Sequence, residues 1–245
     1  MNIQKLPWAG IRLESATTAV VIDPLYHFPG HFGQPHEPLS PLDAFGSVDA
    51  ILITHHHSDH FDPKAIALFY GDEIPVYMPA ESLELIQPGK LKNIRGVNRG
   101  ESIQLGDMTV TATYSVDGVG DPQVAWIVQS GQKKAIHCGD TLWHGYWWSI
   151  ARSFGPFDVA CLPVNGAVVE LSGLTPSGQP ISMNPEQAIA AANILGVTQL
   201  IPIHYGLIHH PPVYRQTPGL LERLQAAAGE EVNVRVLQTG ERINI

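Results

Sequence analysis

Positive charge is scarce in this chain. Its 245 residues carry 14 Lys and Arg against 23 Asp and Glu, a formal net charge of −9, and no run of basic residues breaks that balance. Binding to nucleic acid or to an anionic membrane needs clustered Lys and Arg, so neither is an expected partner. Long apolar runs are missing as well. No stretch reaches the roughly 18 residues that a membrane-spanning helix requires. Cysteine is nearly absent. Cys138 and Cys161 each sit in a strand-like apolar run, which reads as two buried free thiols rather than a disulfide framework. Residues 1–8 lack the basic and apolar regions of a signal peptide, and together with the thiols this sets the expectation of a reducing cytoplasm. No linker or low-complexity tract interrupts residues 1–245, so one domain is expected. With 44% hydrophobic and 15% charged residues, the chain has enough apolar material for a sizeable core.

Histidine, by contrast, is abundant: there are twelve, several of them clustered. Four potential metal ligands fall within His55-His56-His57-Ser58-Asp59-His60, an H-x-H-x-D-H pattern directly after the apolar run 50–53. A strand therefore delivers imidazoles and a carboxylate into one turn. Such a cluster is costly unless something holds it, and a divalent cation takes these nitrogen and oxygen donors. Two further apolar runs end the same way, at Gly139-Asp140-Thr141 and at Pro202-Ile203-His204.

Short strand-like runs recur at 20–22, 76–78, 94–97, 108–113, 124–128, 134–137, 159–162, 200–203 and 232–237, bounded by Gly, Pro or Asp. Pro63 opens a helical segment, a short helix is expected over 81–86, and Asn184-Pro185 caps a helix through Leu195 that Gly196 closes. A last helix is expected near 218–228. Segment 27–43 is a long Pro-, Gly- and His-rich loop. Meandering strands followed by strands interleaved with helices fit two sheets packed face to face with helices outside.

In an extended chain His55 and His57 share one side and His56 points away. One cation would take His55 and His57, a second Asp59, His60 and His204, with Asp140 placed to bridge. Such a pair, ~3.5–4 Å apart, would acidify a shared water into a nucleophile.

These strings resemble the metallo-β-lactamase fold superfamily. Residues 54–60, Asp23-Pro24, Gly139-Asp140-Thr141 and 202–206 follow its order along nearly the whole chain, and Met183-Asn184-Pro185-Glu186-Gln187-Ala188 is similar to its branch of metal-dependent hydrolases that includes L-ascorbate 6-phosphate lactonase. The resemblance implies an α/β fold, the αββα four-layer sandwich of two mixed sheets with helices outside. It also implies a binuclear site with the assignment just given. One departure stands out. The superfamily places a third histidine for the first metal where this chain reads Tyr114-Ser115-Val116-Asp117-Gly118. Asp117 is the candidate replacement and His144 the other, while a plain turn role before Gly118 competes with ligation by Asp117; if neither ligates, the first site is weak and one divalent ion per chain is expected instead of two. Zn²⁺ suits the histidines, and a carboxylate at 117 brings Mn²⁺ or Fe into range.

The expected function is a metal-dependent hydrolase acting on a small lactone, ester or phosphate ester, with Asp59 orienting the nucleophile and Tyr205 donating to a developing oxyanion. A nuclease or phosphodiesterase of the same fold and a non-catalytic metal-binding or ligand-sensing domain are the alternatives. The expected partner is a small-molecule substrate, and a homo-oligomer stays open. His137 reads as a packed core histidine, and Trp143 and Trp147 as one helix face.

Overall fold

The computed structural model describes residues 1–245. In chain order the elements are β1 (Asn2–Lys5), β2 (Ile11–Glu14), β3 (Ala19–Ile22), β4 (Ala50–Leu52), α1 (Pro63–Tyr70), β5 (Val76–Pro79), β6 (Ile94–Val97), β7 (Ser102–Leu105), β8 (Met108–Tyr114), β9 (Val124–Ser130) and β10 (Lys133–His137). They continue with α2 (Trp147–Phe154), β11 (Val159–Pro163), β12 (Val168–Val169), α3 (Pro185–Leu195), β13 (Gln199–Ile203), β14 (Tyr214–Arg215), α4 (Leu220–Ala228), β15 (Asn233–Val234) and β16 (Arg242–Asn244).

Two seven-stranded sheets form, ordered β16-β1-β2-β3-β4-β5-β6 and β15-β13-β11-β10-β9-β8-β7. Both are mixed. β3 through β6 run parallel beside an antiparallel β16-β1-β2-β3 group, and β10, β11, β13 and β15 run parallel beside an antiparallel β7 to β10 meander. The period-2 alternation of strand side chains assigns each face. Val20, Ile22 and Leu52 meet Val110, Trp126, Val159 and Ile201 in the core between the sheets. Val21, Ile51 and Val76 point the other way, against Ile66 of α1. Ile127, Ile136 and Leu200 pack outward on Trp147 and Ile150 of α2, Ala188 and Ala192 of α3, and Leu224 of α4. The layers are thus α1, sheet, sheet, and α2-α3-α4, the expected αββα sandwich.

Local chemistry starts the helices where expected. Asp62 caps α1 by accepting from the Ala65 amide (3.0 Å). Asn184 and Gln187 form a reciprocal capping box on α3 (2.9 and 3.1 Å). Three expectations need correction. Residues 81–86 do not form an α-helix: a 3₁₀ turn spans Ala80–Ser82, and Leu83 and Leu85 are exposed, so this short segment lacks the buried face that stabilises a helix of its length. Helix α2 begins only at Trp147, so Trp143 is not on its face; Trp143 meets Trp148 edge-on instead. The run 232–237 pairs only over β15.

Candidate metal centre

The C-terminal ends of β3, β4, β10 and β13 lie at one edge of the sandwich, and the side chains beyond them converge. The ligand-type atoms of His55, His57, Asp117 and Asp140 all lie within 4.8 Å of one another, and so do those of Asp59, His60 and His204. Asp140 faces both groups, with Oδ1 3.7 Å from His55 Nε2 and Oδ2 4.0 Å from His204 Nε2. In the second group Asp59 Oδ2 is 3.6 Å from His60 Nε2 and 3.4 Å from His204 Nε2.

Neighbouring side chains fix which nitrogen each imidazole presents. His60 Nδ1 is 2.7 Å from Asp23 Oδ2 and donates to it. The same Asp23 accepts from the Thr54 amide (2.8 Å) and hydroxyl (2.6 Å). Since that hydroxyl proton points to Asp23, Thr54 Oγ1 accepts from His55 Nδ1 at 3.0 Å. Both rings therefore turn their Nε2 atoms inward. His55 Nε2, His60 Nε2, both ring nitrogens of His204 and Asp140 Oδ1 are buried with no hydrogen-bond partner. Buried polar atoms are normally paired. This donor set of imidazole nitrogens and carboxylate oxygens fits a divalent cation in each group.

Asp117 has a different oxygen available for each of its two competing roles. Oδ2 accepts from the amides of Val119 (2.8 Å) and Asp121 (2.9 Å), closing a turn. Oδ1 faces His57 Nδ1 at 3.7 Å, while His57 Nε2 is held by Asp121 at 2.8 Å. Gly118 allows this placement, because a Cβ there would lie 1.9 Å from the Ile181 carbonyl oxygen. His144 lies elsewhere. It stacks on Trp147 (centroids 4.1 Å) and accepts from the Tyr146 amide, so Asp117 is the residue standing with His55 and His57.

Burial sets the protonation of the imidazoles. It pushes His55 well below the ordinary histidine range and His204 down to about 4, which keeps both neutral, the form that ligates. Burial alone would also lower His60, but the Asp59 and Asp23 carboxylates outweigh it and raise the group to about 9, so a cation bound at its Nε2 would displace a proton from that nitrogen. Burial raises Asp140 to about 7 against the pull of His60, with Asp117 adding to the rise. Asp59 moves the other way: the imidazoles of His60 and His204 overcome its burial and hold it far below the usual carboxylate range.

The expected oxyanion donor needs correction. Tyr205 packs against the helix-layer core and borders a separate cavity with Lys5 and Glu37. The cavity over the metal cradle is bordered by Tyr214 instead, whose hydroxyl accepts from Asn165 at 2.7 Å. Tyr205 follows His204 in a backbone held at φ 60°, and the next side chain leaves on the far side.

Trp8 escaped the sequence reading entirely. Its indole N–H donates to Asp59 Oδ2 (3.0 Å), its ring lies 4.2 Å from that of His204, and its carbonyl accepts from the His204 amide (3.3 Å). The available signal was indirect: Trp8 closes a short turn between two strands that the pattern also missed. His137 is the core histidine it was expected to be, with Nε2 2.8 Å from the Ala9 carbonyl and Nδ1 accepting from the Gly139 amide. It thereby ties the Trp8 turn to the Asp140 turn. Of the loop histidines, His31 borders the cavity, whereas His27 pairs with Asp62.

Comparison with known proteins agrees with this geometry. Residues 18–205 match the model of the beta-lactamase superfamily domain. A protein of Rubrobacter xylanophilus named a metal-dependent hydrolase is 30% identical over 82% of this chain and 81% of its own length. Among solved structures, a metallo hydrolase from the archaeon Ignicoccus hospitalis superposes with a TM-score of 0.73 at 22% identity, over 99% of this chain and 97% of that one. An isothiocyanate hydrolase from Delia radicum gut bacteria superposes with a TM-score of 0.79 at 22% identity, over 100% and 99%. The chain therefore belongs to the metallo-β-lactamase fold superfamily, in its branch of metal-dependent hydrolases.

Proposed function

We propose that this chain hydrolyses a small ester, lactone or phosphate ester with a pair of divalent cations, one at His55, His57 and Asp117, the other at Asp59, His60 and His204, with Asp140 shared. One observation carries the reading: three buried histidine Nε2 atoms, on His55, His60 and His204, have no hydrogen-bond partner and sit beside carboxylates. Each such atom costs on the order of 1–3 kcal/mol in a protein interior, and a cation removes that cost. When bound, the cations supply Lewis acidity at the scissile centre and an acidified water.

The chain's own groups do the rest. Asp59 stays ionised and is oriented by Trp8, so it accepts a hydrogen bond from the attacking water and aims it. The buried setting excludes bulk solvent, which strengthens these interactions. An isothiocyanate, the substrate class in the name of one structural neighbour, presents the same kind of carbon electrophile and joins the panel to be tried. The net charge of −9 and a cavity lining without Lys or Arg speak against the nuclease alternative. The buried free thiols support a reducing, cytoplasmic setting.

Metal analysis of the purified chain tests the reading, joined to an activity panel. Two equivalents with turnover are expected, and Asp140→Ala is expected to lose both metals and at least ~100-fold in kcat/KM. One tight equivalent and no turnover on any ester, lactone, phosphate ester or isothiocyanate favours the binding module. Unchanged occupancy and rate in Asp140→Ala ends the bridging assignment.

A further inference from the structure

The metal cradle forms the floor of a cavity of about 220 Å³, smaller than the ~300–1,000 Å³ typical of drug-sized ligands. Its walls are apolar: Phe32, Val119, Leu171, Leu174, Ile181 and Tyr214. The wall is braced from behind. Phe32 meets Tyr214 edge-on at 5.3 Å, and Phe28 joins Phe32 at 6.0 Å and Trp8 at 5.7 Å. Leu174 and Val119 border the cavity yet are 55% and 45% exposed, so the entrance presents aliphatic surface to water.

Charge is equally informative. No Lys or Arg lines the cavity; Asp121 adds a further carboxylate beside His57, and beyond the cradle the other ionisable side chains are His31 and the Tyr214 phenol. Asp23, Asp59, Asp117 and Asp140 are four carboxylates in or directly behind the cradle. They offset the four positive charges of a pair of divalent cations. No surplus positive charge is left for a phosphate or carboxylate tail, and the groups that bind such tails elsewhere, Arg forks and Lys points, are missing.

Building on the hydrolase reading, we infer that the substrate is an uncharged carbonyl compound with a short apolar acyl body, and that substrates bearing a phosphate or carboxylate tail are rejected. The acyl body lies against Phe32, Leu171 and Ile181 while its carbonyl reaches the cradle. In the reaction the water oxygen bonds to the carbonyl carbon and the acyl C–O bond breaks. The leaving oxygen takes that bond's electron pair and the proton released by the water. No oxidant or reductant enters. This narrows the ester, lactone and phosphate-ester range to its neutral members.

The test compares p-nitrophenyl esters of matched reactivity on the metal-loaded full chain. From acetate to propionate to butyrate, kcat/KM is expected to rise about fourfold per methylene, as burial of each CH₂ dictates. p-Nitrophenyl hemisuccinate, similar in length to the butyrate but ending in a carboxylate, is expected to run at least ~10-fold slower than the butyrate. Leu174→Lys, which places an ammonium at the entrance on an exposed position, is expected to narrow that gap. A second readout needs no turnover: titrated into metal-free protein, valeramide is expected to bind more tightly than acetamide. A flat acyl series, a hemisuccinate rate equal to or above butyrate, or equal amide affinities overturns the inference and leaves the hydrolase reading standing. Failure to cleave any neutral or charged ester at any metal loading overturns both.

Discussion

The two halves of the metal cradle are built differently. Every member of the group Asp59, His60 and His204 is buried, and each is gripped by a residue from another element: His60 by Asp23, Asp59 by Trp8, and the His204 amide by the Trp8 carbonyl. In the group His55, His57 and Asp117, the half-buried member is His57, at the cavity wall. His57 leans on Asp121, which is 40% exposed, and the place of a third imidazole is taken by a carboxylate already half committed to a turn. Preorganised ligands hold a cation more tightly than ligands that must be ordered on binding. The inner site is therefore expected to fill first and the outer site to exchange.

Asp23→Ala strikes this asymmetry hardest. It strips acceptors from His60 Nδ1, the Thr54 amide and the Thr54 hydroxyl at once, all in a fully buried place. Losing the partner behind a metal-ligating histidine costs about 10–100-fold in metal affinity. Competition titration with a chelator is expected to show that loss at the inner site, with a smaller loss at the outer site through Thr54 and His55 and a lowered Tm. If the outer site weakens equally, the two halves are not separable in this way.

Trp8→Phe is a finer cut. The ring packing on His204 and Phe28 is kept while the N–H to Asp59 is deleted. The charge-assisted hydrogen bond to a carboxylate is worth ~1.5–3 kcal/mol, so about a tenfold or larger drop in inner-site affinity is expected with outer-site affinity unchanged. Equal titration curves for the variant and the parent would reduce Trp8 to a packing residue.

What was legible in the sequence follows the same division between local and distant causes. The convergence of these donors could be read because H-x-H-x-D-H puts four of them on one turn, and because Asp140 and His204 each follow an apolar strand. Asn184 with Pro185 and Gly196 marked α3 almost to the residue, since capping chemistry is local. Asp117 was readable as a candidate, but that it serves both the turn and the cradle depends on Ile181, which is more than sixty positions away. The grips on the inner site were not readable at all. Trp8, Asp23 and His204 are the non-glycine residues with positive φ, at 59°, 47° and 60°. Such strain is tolerated where the surroundings over-determine it, and those surroundings are assembled from β1, β3 and β13 only in the folded chain. Tyr205 departs from the sequence expectation for this reason, because alternation fails just where His204 turns the backbone.

Behind the inner site lies Lys5, which sharpens the comparison by pH rather than by metal. Its buried ammonium donates to the carbonyls of Leu6 and Trp8, the latter at 2.6 Å. Burial lowers it to about 7, although Cys161 and Glu37 pull the other way. The unfolded chain keeps the proton up to about pH 10.4, so between these values it binds more protons than the folded one. Stability is then expected to rise with pH from about 7 toward 10, the sign that linkage requires for a lowered lysine. Lys5→Met is expected to flatten that rise in denaturant melts. A parent curve already flat over the window removes Lys5 from the account.

The mildest probe is Asp121→Asn. Exposed charge pairs contribute ~0–1 kcal/mol, and the amide oxygen of Asn still accepts from His57 Nε2. Outer-site affinity is expected to fall by no more than about fivefold, with the inner site untouched. Because His57 presents Nδ1 to the cradle only while Nε2 is occupied, Asp121→Leu should cost clearly more than Asp121→Asn despite the equal loss of charge. If the two variants weaken the outer site alike, Asp121 acts through its charge on the cavity and not by turning the ring, and the outer histidine orients itself.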